Sequence, residues 1–345
     1  MFLKDLETPR ETVNNIGEFN GMTHKGSIRQ SYGGVGRNLG DALARLKCHP
    51  LLVSAVGTDI HARSLTSHNP LMDCRGLARL EGAATATYCA VLDSEGEALF
   101  GIGDMTIHDY VTPEHVKKFE AEMAVAPLVI LDGNMSLETI GYVLDHCASC
   151  SVPVWYEPTD IQKATKPWLT GRGHSVSFSS PNLNELRALC SHLDLGEIAL
   201  IPEDKDEMLE HLPNILKTTA PLLEHMKGLM ITMGKLGFMI IRKSTAEGIN
   251  EPLLRANDNK KKSEVFGLYF PGERNLSVAS VSGAGDCLAA GFICGMLHGK
   301  SVSECSALGH SAAASSLKSA PAVPDTISFE SLPWGTERPF MKISC

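Results

Sequence analysis

A glycine-rich segment near the carboxyl terminus combines residue types that suit anion binding and proton transfer. Residues 281–291 read VSGAGDCLAAG and pass from a strand-like run through small residues into an apolar helix. Glycines let the backbone approach a ligand closely, and the free N–H groups of a helix's first turn attract anions. Asp286 stands in that turn, where a carboxylate can accept a proton from a hydroxyl group. The segment predicts either a phosphoryl-transfer site or a simple aspartate cap after a flexible turn.

A second glycine-rich segment, GGVGRN at 33–38, begins another helix about 250 residues earlier. Gly33 and Gly34 permit close approach of a ligand, and Asn38 offers both a donor and an acceptor to hydroxyl groups. The chain contains no Gly-x4-Gly-Lys-Ser/Thr sequence, and this segment lacks the spacing of a dinucleotide fingerprint. P-loop and Rossmann-type nucleotide binding are therefore disfavoured.

Alternating strand-like and helix-like runs must position these two segments. Short apolar runs occupy 51–56, 128–131, 152–156, 176–178 and 229–233, and helix-like stretches such as 139–147, 184–192 and 215–226 lie between them. This alternation predicts a three-layer α/β/α fold with a mostly parallel central sheet. Residues 84–92 and 98–103 are strand-like and flank the polar turn DSEG, which predicts a β-hairpin that serves as a small lid. The polar stretch 242–264 predicts a long surface loop.

Composition excludes several classes of partner. Lys and Arg total 31 and Asp and Glu total 40, which gives a net charge of −9 over 345 residues. An acidic chain without a basic helix lacks the electrostatic footprint of a nucleic-acid binder. No run of 18 apolar residues is present, so we expect no membrane span, and the polar first fifteen residues carry no targeting pattern. We therefore expect a cytoplasmic protein.

The ten cysteines are expected to be reduced thiols that pack as small apolar residues. Cys147 and Cys150 have the spacing of a redox or zinc motif. A closed zinc site needs four ligands, however, and no second cysteine pair at suitable spacing accompanies them. A structural role is the simpler interpretation.

Two further segments complete a pattern. SPNLNE at 180–185 and ITMGKLG at 231–237 lie between the glycine-rich segments. In this order and spacing the four segments resemble those of the ribokinase-like (PfkB-type) carbohydrate and nucleoside kinases. The resemblance implies a ribokinase-like kinase domain over 28–330 with its lid hairpin near 84–103. Residues 1–27 would then be an atypical N-terminal segment and 331–345 a C-terminal tail.

The resemblance also implies roles for individual residues. Asp286 would be the catalytic base that deprotonates the acceptor hydroxyl, and the backbone of Gly283, Ala284 and Gly285 would form the anion hole for the transferring phosphoryl group. Gly33, Gly34 and Asn38 would hold the sugar. The hairpin around Thr87 and Asp104 would close over the sugar and exclude water.

The nucleotide side of the site follows from the same resemblance. Asn182 and Glu185 match the motif that organises the nucleotide phosphates and hydrated Mg²⁺, a cation that prefers oxygen ligands. Thr232, Gly234 and Gly237 match the strand and turn that line the nucleotide, and His310 falls near the adenine side. ATP and Mg²⁺ are thus the implied cofactors.

Within the family, three short segments are more similar to pseudouridine kinases than to ribokinase, fructokinase or adenosine kinase. They are GSIRQSY at 26–32, GDMTI at 103–107 and YEP at 156–158, the last followed by Lys163, which would approach the substrate or the phosphates. They imply phosphorylation of a nucleoside 5′-hydroxyl, with pseudouridine as the acceptor. The alternatives are a kinase of ribose, adenosine or a related compound, and a non-catalytic member that binds a metabolite or a partner. Pairing of lids into a homodimer is also implied.

The chain departs from the family pattern in two places. Members usually begin with an apolar strand whose following Asp clamps two sugar hydroxyls, but before Gly33 the longest apolar run is residues 1–3. We therefore expect the kinase architecture with weak activity unless that strand is supplied. Ser280 and Ser282 replace the Asp and Thr that many members carry near a monovalent-cation site, which leaves activation by K⁺ open.

Overall fold

The structure is a computed structural model that describes residues 2–4, 27–92, 98–202, 204–254, 263–273 and 277–344. The predicted hairpin turn at 93–96 and the lysine run at 260–262 lie outside these residues. The strands are β1 (Phe2–Lys4), β2 (Ser27–Arg29), β3 (Leu51–Gly57), β4 (Asp73–Leu80), β5 (Thr87–Leu92), β6 (Ala98–Asp104), β7 (Val129–Asp132), β8 (Val154–Glu157), β9 (Phe178–Ser179), β10 (Gly228–Thr232), β11 (Gly237–Ser244), β12 (Glu264–Pro271) and β13 (Met341–Ile343). The helices are α1 (Val35–Arg45), α2 (Ile60–His68), α3 (Pro113–Lys117), α4 (Glu120–Val125), α5 (Leu137–Ser149), α6 (Lys166–Leu169), α7 (Leu183–His192), α8 (Lys205–Thr219), α9 (Ala284–Leu297) and α10 (Val302–Leu317).

The central sheet has seven strands in the order β13-β12-β11-β10-β9-β8-β7. Strands β7 to β10 pair in parallel, and β11, β12 and β13 extend the sheet in antiparallel fashion. The predicted three-layer α/β/α fold is confirmed, and its sheet is mixed. Residues 331–345, which we expected to form a tail, contribute β13 to the edge of this sheet.

Two hydrophobic cores cover the two faces of the sheet. In β10, Leu229 and Ile231 face one core and Met230 faces the other, because successive side chains of a strand point to opposite faces. Helices α5, α7 and α8 pack over the first core, and α1, α9 and α10 pack over the second. The helices that begin with the two glycine-rich segments, α1 and α9, therefore lie in the same layer.

The lid is a four-stranded sheet in the order β2-β1-β5-β6. The predicted hairpin is present as β5 and β6, which pair in antiparallel fashion. Two described strands, β1 and β2, precede Gly33, but both belong to the lid, where β1 pairs with β2 and β5. The expected absence of the family's founding strand from the central sheet stays a prediction. Three residues are too few for a hydrophobic period to be read, so only the pairing partner identifies β1 as a strand.

The remaining two strands, β3 and β4, form a separate parallel pair. Strand β7 ends the central sheet, and among the described residues no strand pairs with its free edge or with that of β3. Helix α1 packs against both strands, and Ala55 of β3 shares a core with Leu131 of β7. In the described parts of the chain, no helix has the length and apolar character needed to cross a membrane.

Candidate active site

The first turn of α9 is open towards the surface. Gly283 precedes the helix in the left-handed conformation, with φ of 77°, and a Cβ there would lie 2.5 Å from the carbonyl oxygen of Ala322. Glycine is therefore required at this position. A Cβ added to Gly285 would meet no atom within 4 Å. The space beside Gly285 is therefore open to a ligand, while the N–H of Ala284 donates to the carbonyl of Val281 at 3.4 Å.

Asp286 lies in this turn with a pKa that suits a general base. Burial raises the pKa of its carboxyl group to about 6, while the hydrogen bond from Asn38 and the charge of Arg37 oppose that rise. A base is most effective when its pKa lies near the working pH. Asp286 is therefore ionised at neutral pH and remains able to hold a proton.

The two glycine-rich segments meet at Asp286. Asn38 Nδ2 donates a hydrogen bond of 2.6 Å to Asp286 Oδ2, although the two residues are 248 positions apart. Asn38 lies in the first turn of α1, which begins after Gly34 with φ of 95°. Gly33 and Gly34 are exposed, and a Cβ on Gly33 would also meet no atom within 4 Å. The segment expected to hold the sugar therefore borders the predicted base.

Two buried charged residues beside Asn38 were missed by the sequence analysis. Arg37 is 8% exposed and its Nη1 lies 2.8 Å from Oδ2 of the fully buried Asp41. Arg37 Nη2 also donates to Asn38 Oδ1. The spacing of Arg37, Asp41 and Arg45 by four residues was a visible signal, because such residues share one helix face. Nothing in the sequence indicated, however, that this charged helix face would be buried.

Asn182 and Glu185 form the cap of α7. The Asn182 side chain accepts hydrogen bonds from the N–H groups of Asn184 (2.9 Å) and Glu185 (3.0 Å), and Glu185 Oε2 accepts from the Asn182 N–H at 2.8 Å. This reciprocal arrangement is a capping box. Burial raises the pKa of Glu185. Asn182 also forms an isolated parallel bridge with Thr232, which brings the two predicted nucleotide elements side by side.

The turn after Thr232 and the residue His310 lie on either side of Glu273. Gly234 and Gly237 have φ of 57° and 105°, and the latter lies against the backbone of Phe270. His310 Nε2 on α10 is 2.9 Å from Glu273 Oε1. The N–H of Gly272, the residue before Glu273, donates to the carbonyl of Leu236 in the turn at 3.2 Å. His310 is thus near the predicted nucleotide turn but reaches it through Glu273.

A further carboxylate, Glu157, belongs to the YEP segment singled out above, although the sequence analysis gave it no role. Glu157 ends β8 beside Asp132 at the end of β7. Burial raises the pKa of Glu157 well above its usual range, and the charges of Asp286 and Glu185 add to that rise, while the Ser180 hydroxyl donates to its Oε2 and opposes it. Carboxylates that repel one another in this way are suited to a cation or to shared protons.

The described residues include no group of three or more His, Cys, Asp or Glu side chains arranged to hold a metal ion. The oxygen donors Glu185 and Glu157 nevertheless fit Mg²⁺, which keeps several waters and takes only one or two carboxylates alongside substrate phosphates. The nine described cysteines form no disulfide, and Cys147 is buried in the core.

Three predicted substrate residues lie at the edge of this arrangement. Thr87 and Asp104 face each other across β5 and β6 at the base of the lid, and both are exposed. Lys163 Nζ donates to Asn134 Oδ1 at 2.8 Å and lies 2.7 Å from Asp160 Oδ2. Within the described residues the structure shows no direct hydrogen bond from these three to Asn38 or Asp286.

The chain belongs to the pfkB family of carbohydrate kinases, whose sequence model matches residues 8–325. This match begins about 20 residues before the stretch on which our sequence comparison relied. The fold and family define an ATP-dependent kinase of the ribokinase-like class.

Among characterised relatives, the chain is similar to a pseudouridine kinase of Arabidopsis thaliana, with 25% identity over 331 residues that cover 88% of this chain and 86% of the relative. It is also similar to a pseudouridine kinase of Escherichia coli (strain K12), with 27% identity over 274 residues covering 78% and 74%. The fold matches that of Arabidopsis thaliana ribokinase complexed with ribose and ATP, with a TM-score of 0.65, 18% identity and coverage of 96% and 91%.

Proposed function

We propose that the protein transfers the terminal phosphoryl group of ATP to the 5′-hydroxyl of a nucleoside, with pseudouridine as the acceptor and pseudouridine 5′-phosphate as the product. The observation that carries the proposal is the 2.6 Å hydrogen bond between Asn38 and Asp286 at the open first turn of α9. It joins a hydroxyl-binding amide, a carboxylate base and an anion-binding helix terminus in one place. The two pseudouridine kinases among the relatives support the choice of acceptor.

The proposed reaction begins when Asp286 takes the proton of the 5′-hydroxyl. The hydroxyl oxygen then forms a bond to the terminal phosphorus of ATP as the bond to the leaving ADP oxygen breaks. The N–H groups of Gly283, Ala284 and Gly285 stabilise the charge that develops on the transferring group. The proton on Asp286 passes to solvent after the products leave.

The acceptor is held by Gly33, Gly34 and Asn38, with Lys163 approaching from the β7 side and Thr87 and Asp104 from the lid. ATP lies along Asn182, Thr232, Gly234 and Gly237, with His310 on the adenine side. Glu185, through water, would hold Mg²⁺ with support from Glu157. Bound Mg²⁺ would neutralise phosphate charge during transfer. Activation by K⁺ near Ser280 and Ser282 stays a prediction, as does a cytoplasmic location, which the free cysteines favour.

The assay that tests the proposal offers Mg-ATP with pseudouridine, uridine, adenosine, ribose or fructose 6-phosphate to the purified protein. We expect the highest kcat/KM with pseudouridine, and a loss of about 10³-fold in the Asp286→Asn variant. A higher kcat/KM with ribose or adenosine would change the identity of the acceptor but would leave the proposed mechanism intact. Turnover unaffected by Asp286→Asn would refute the role of Asp286 as base.

Gly285→Ala provides a second variant with little structural cost. The added methyl group meets no protein atom within 4 Å, so the fold should be retained. The methyl group would occupy the space that the phosphoryl group needs, and we expect kcat to fall about tenfold or more. Unchanged melting temperature and circular dichroism are the control. An unchanged kcat would contradict the proposal that the phosphoryl group binds at this turn.

A non-catalytic role is the second candidate, favoured because no strand of the described residues pairs with the outer edge of β3 or β7. Thermal stabilisation by pseudouridine or ATP without turnover of any acceptor would support it.

The lid also supports the proposal of a homodimer. Ile28, Phe100 and Ile102 point to one face of the lid sheet, as their strand pairings require, and are 64%, 37% and 67% exposed. Apolar side chains gathered on an exposed sheet face are typical of an interface. Ile102→Asp should convert the dimer to monomer in analytical ultracentrifugation, and a native chain that sediments as a monomer would contradict the pairing.

A further inference from the structure

The first two turns of α1 contain a buried ion pair, Arg37 with Asp41, that contacts the acceptor loop directly and the base only through Asn38. Asp41 is fully buried and is surrounded by donors: Arg37 Nη1 and Arg45 Nε lie 2.8 Å from its two oxygens, and Asn69 Nδ2 donates at 2.6 Å. A buried carboxylate with this many partners is held in one orientation. It therefore serves as a fixed anchor for Arg37.

The other two nitrogens of the Arg37 guanidinium donate hydrogen bonds to acceptors near the start of α1. Nε donates to the carbonyl of Gly33 at 3.3 Å, and Nη2 donates to the carbonyl of Tyr32 at 3.1 Å and to Asn38 Oδ1. The planar guanidinium presents its donors in a rigid fork, so these contacts are made together or lost together. Arg37 thus joins the glycine loop to the Asn38 side chain.

The contact with Asn38 determines which way its amide points. An arginine side chain can only donate hydrogen bonds, so the atom of Asn38 that faces it must be the oxygen. The amide nitrogen then faces the opposite way and donates to Asp286. If the amide turned over, its NH₂ would face a cation and its oxygen would face a carboxylate, and both contacts would be repulsive.

We propose that Arg37, anchored by Asp41, is a positioning residue that orients the Asn38 amide and through it holds Asp286 in place for proton transfer. This role rests on the proposed function of Asp286 as base. Arg37 itself acts through Asn38.

The charges around Asp286 give the role a second consequence. Arg37 on α1 is the cation that faces Asp286, while Asp132 at the end of β7 and Glu157 at the end of β8 are acidic neighbours. Removal of Arg37 leaves the like charges of Asp132 and Glu157 around Asp286. Its ionised form then becomes less favourable, and the acid limb of the activity profile should move to higher pH.

The test compares Arg37→Met with Arg45→Met. Both substitutions remove a buried cation of α1 that lies 2.8 Å from Asp41, and both leave Asp41 with one arginine. Only Arg37 contacts Asn38 and the glycine loop. We expect kcat to fall about 10- to 100-fold in Arg37→Met, with KM for ATP within about twofold of native. Arg45→Met should lose stability but keep kcat.

Carbon-13 NMR titration of the Asp286 carboxyl group, assigned with Asp286→Asn, measures the same role without turnover. Arg37→Met should raise the pKa of Asp286 by about one unit or more, and Arg45→Met should not. Arg37→Lys separates charge from orientation. An ammonium group supplies the charge but not the fork, so the pKa should return towards native while kcat stays low.

Equal kcat values and equal Asp286 titrations in Arg37→Met and Arg45→Met would overturn the positioning role while leaving Asp286 as base. Full recovery of kcat in Arg37→Lys would also overturn it, because charge alone would then suffice. If the native protein phosphorylates no acceptor, the proposed function fails, and the NMR titration still decides whether Arg37 controls Asp286.

Discussion

The half of this protein that we propose to bind the nucleotide and the half that we propose to bind the acceptor differ in how completely their described strands are paired. In the nucleotide half, β10, β11 and β12 have strands on both sides, and most of their residues are buried. In the acceptor half, β3 pairs only with β4 among the strands that the structure describes, and its first four residues are half-buried. Strand β7, at the end of the central sheet, is half-buried at three of four positions. The phosphate-binding elements therefore rest on a continuous sheet, whereas the acceptor elements do not.

Within the described ranges, one edge of β3 and one edge of β7 carry no strand partner, and both strands lie beside helix α1. Helix α1 begins beside Asp132, at the carboxyl end of β7, and leads into the amino end of β3 after Arg45. The two strands therefore run in the same direction on one side of the same helix. Unpaired backbone groups in a core lower stability. Asn38 therefore belongs to the half with fewer paired strands, and Asp286 belongs to the half with the continuous sheet. The hydrogen bond between them joins the two halves.

Hydrogen exchange should show the largest difference between the halves. Amides of β10 and β11 are bonded within a continuous buried sheet, while the free edge of β3 opens locally without disturbing that sheet. We expect amides of β3 to exchange about 10³-fold faster than those of β11, measured by mass spectrometry at constant pH. Equal protection in both strands would show that the acceptor half is as well paired as the nucleotide half.

Supplying a strand should raise activity by a smaller factor. In a chimera, the corresponding N-terminal segment of the Arabidopsis thaliana relative would replace residues 1–27. A recovered hydroxyl contact contributes about 1–3 kcal/mol, so kcat/KM for pseudouridine should rise about 10- to 100-fold. KM for ATP, which depends on the other half, should not change. Native activity equal to that of the chimera would refute the need for the strand.

The dependence of kcat/KM on pH should show the smallest difference, because the native protein and the chimera share the same base. The ionised form of Asp286 is the active base, and its pKa is about 6. As pH falls below 6, kcat/KM should fall about tenfold per pH unit, because protonation removes the base. A limb near pH 4 in either protein would mean that burial does not control this carboxyl group.

Much of the architecture was predictable because hydrophobic runs report buried strands. The runs at 51–56, 128–131 and 229–233 correspond to β3, β7 and β10, and the hairpin corresponds to β5 and β6. The stretch 242–264 was predicted as a surface loop, yet its first residue, Arg242, is 1% exposed within β11. Its guanidinium donates to the carbonyl of Ile249 at 3.3 Å. A charged residue can be buried when backbone acceptors surround it, and sequence patterns do not show such acceptors.

The candidate site divides in the same way. Asp286, Gly283 and Asn182 could be singled out from sequence, because their motifs depend on local backbone geometry at helix starts. Glu157 and Arg37 stand in segments that the sequence analysis quoted, but their roles and that of Asp41 could not be assigned, because these depend on burial and on the position of Asp286.

The family, the parallel strands β7 to β10 and the residue types at both glycine-rich turns could be recognised from the amino-acid sequence alone, since each depends on local spacing and hydrophobic period. Only the tertiary structure decided that Asn38 meets Asp286, that Arg37 and Asp41 stand behind that contact, and that β1 belongs to the lid. These depend on which elements pack together. Burial and hydrogen bonding between residues hundreds of positions apart arise only when the helices and strands are assembled around shared cores.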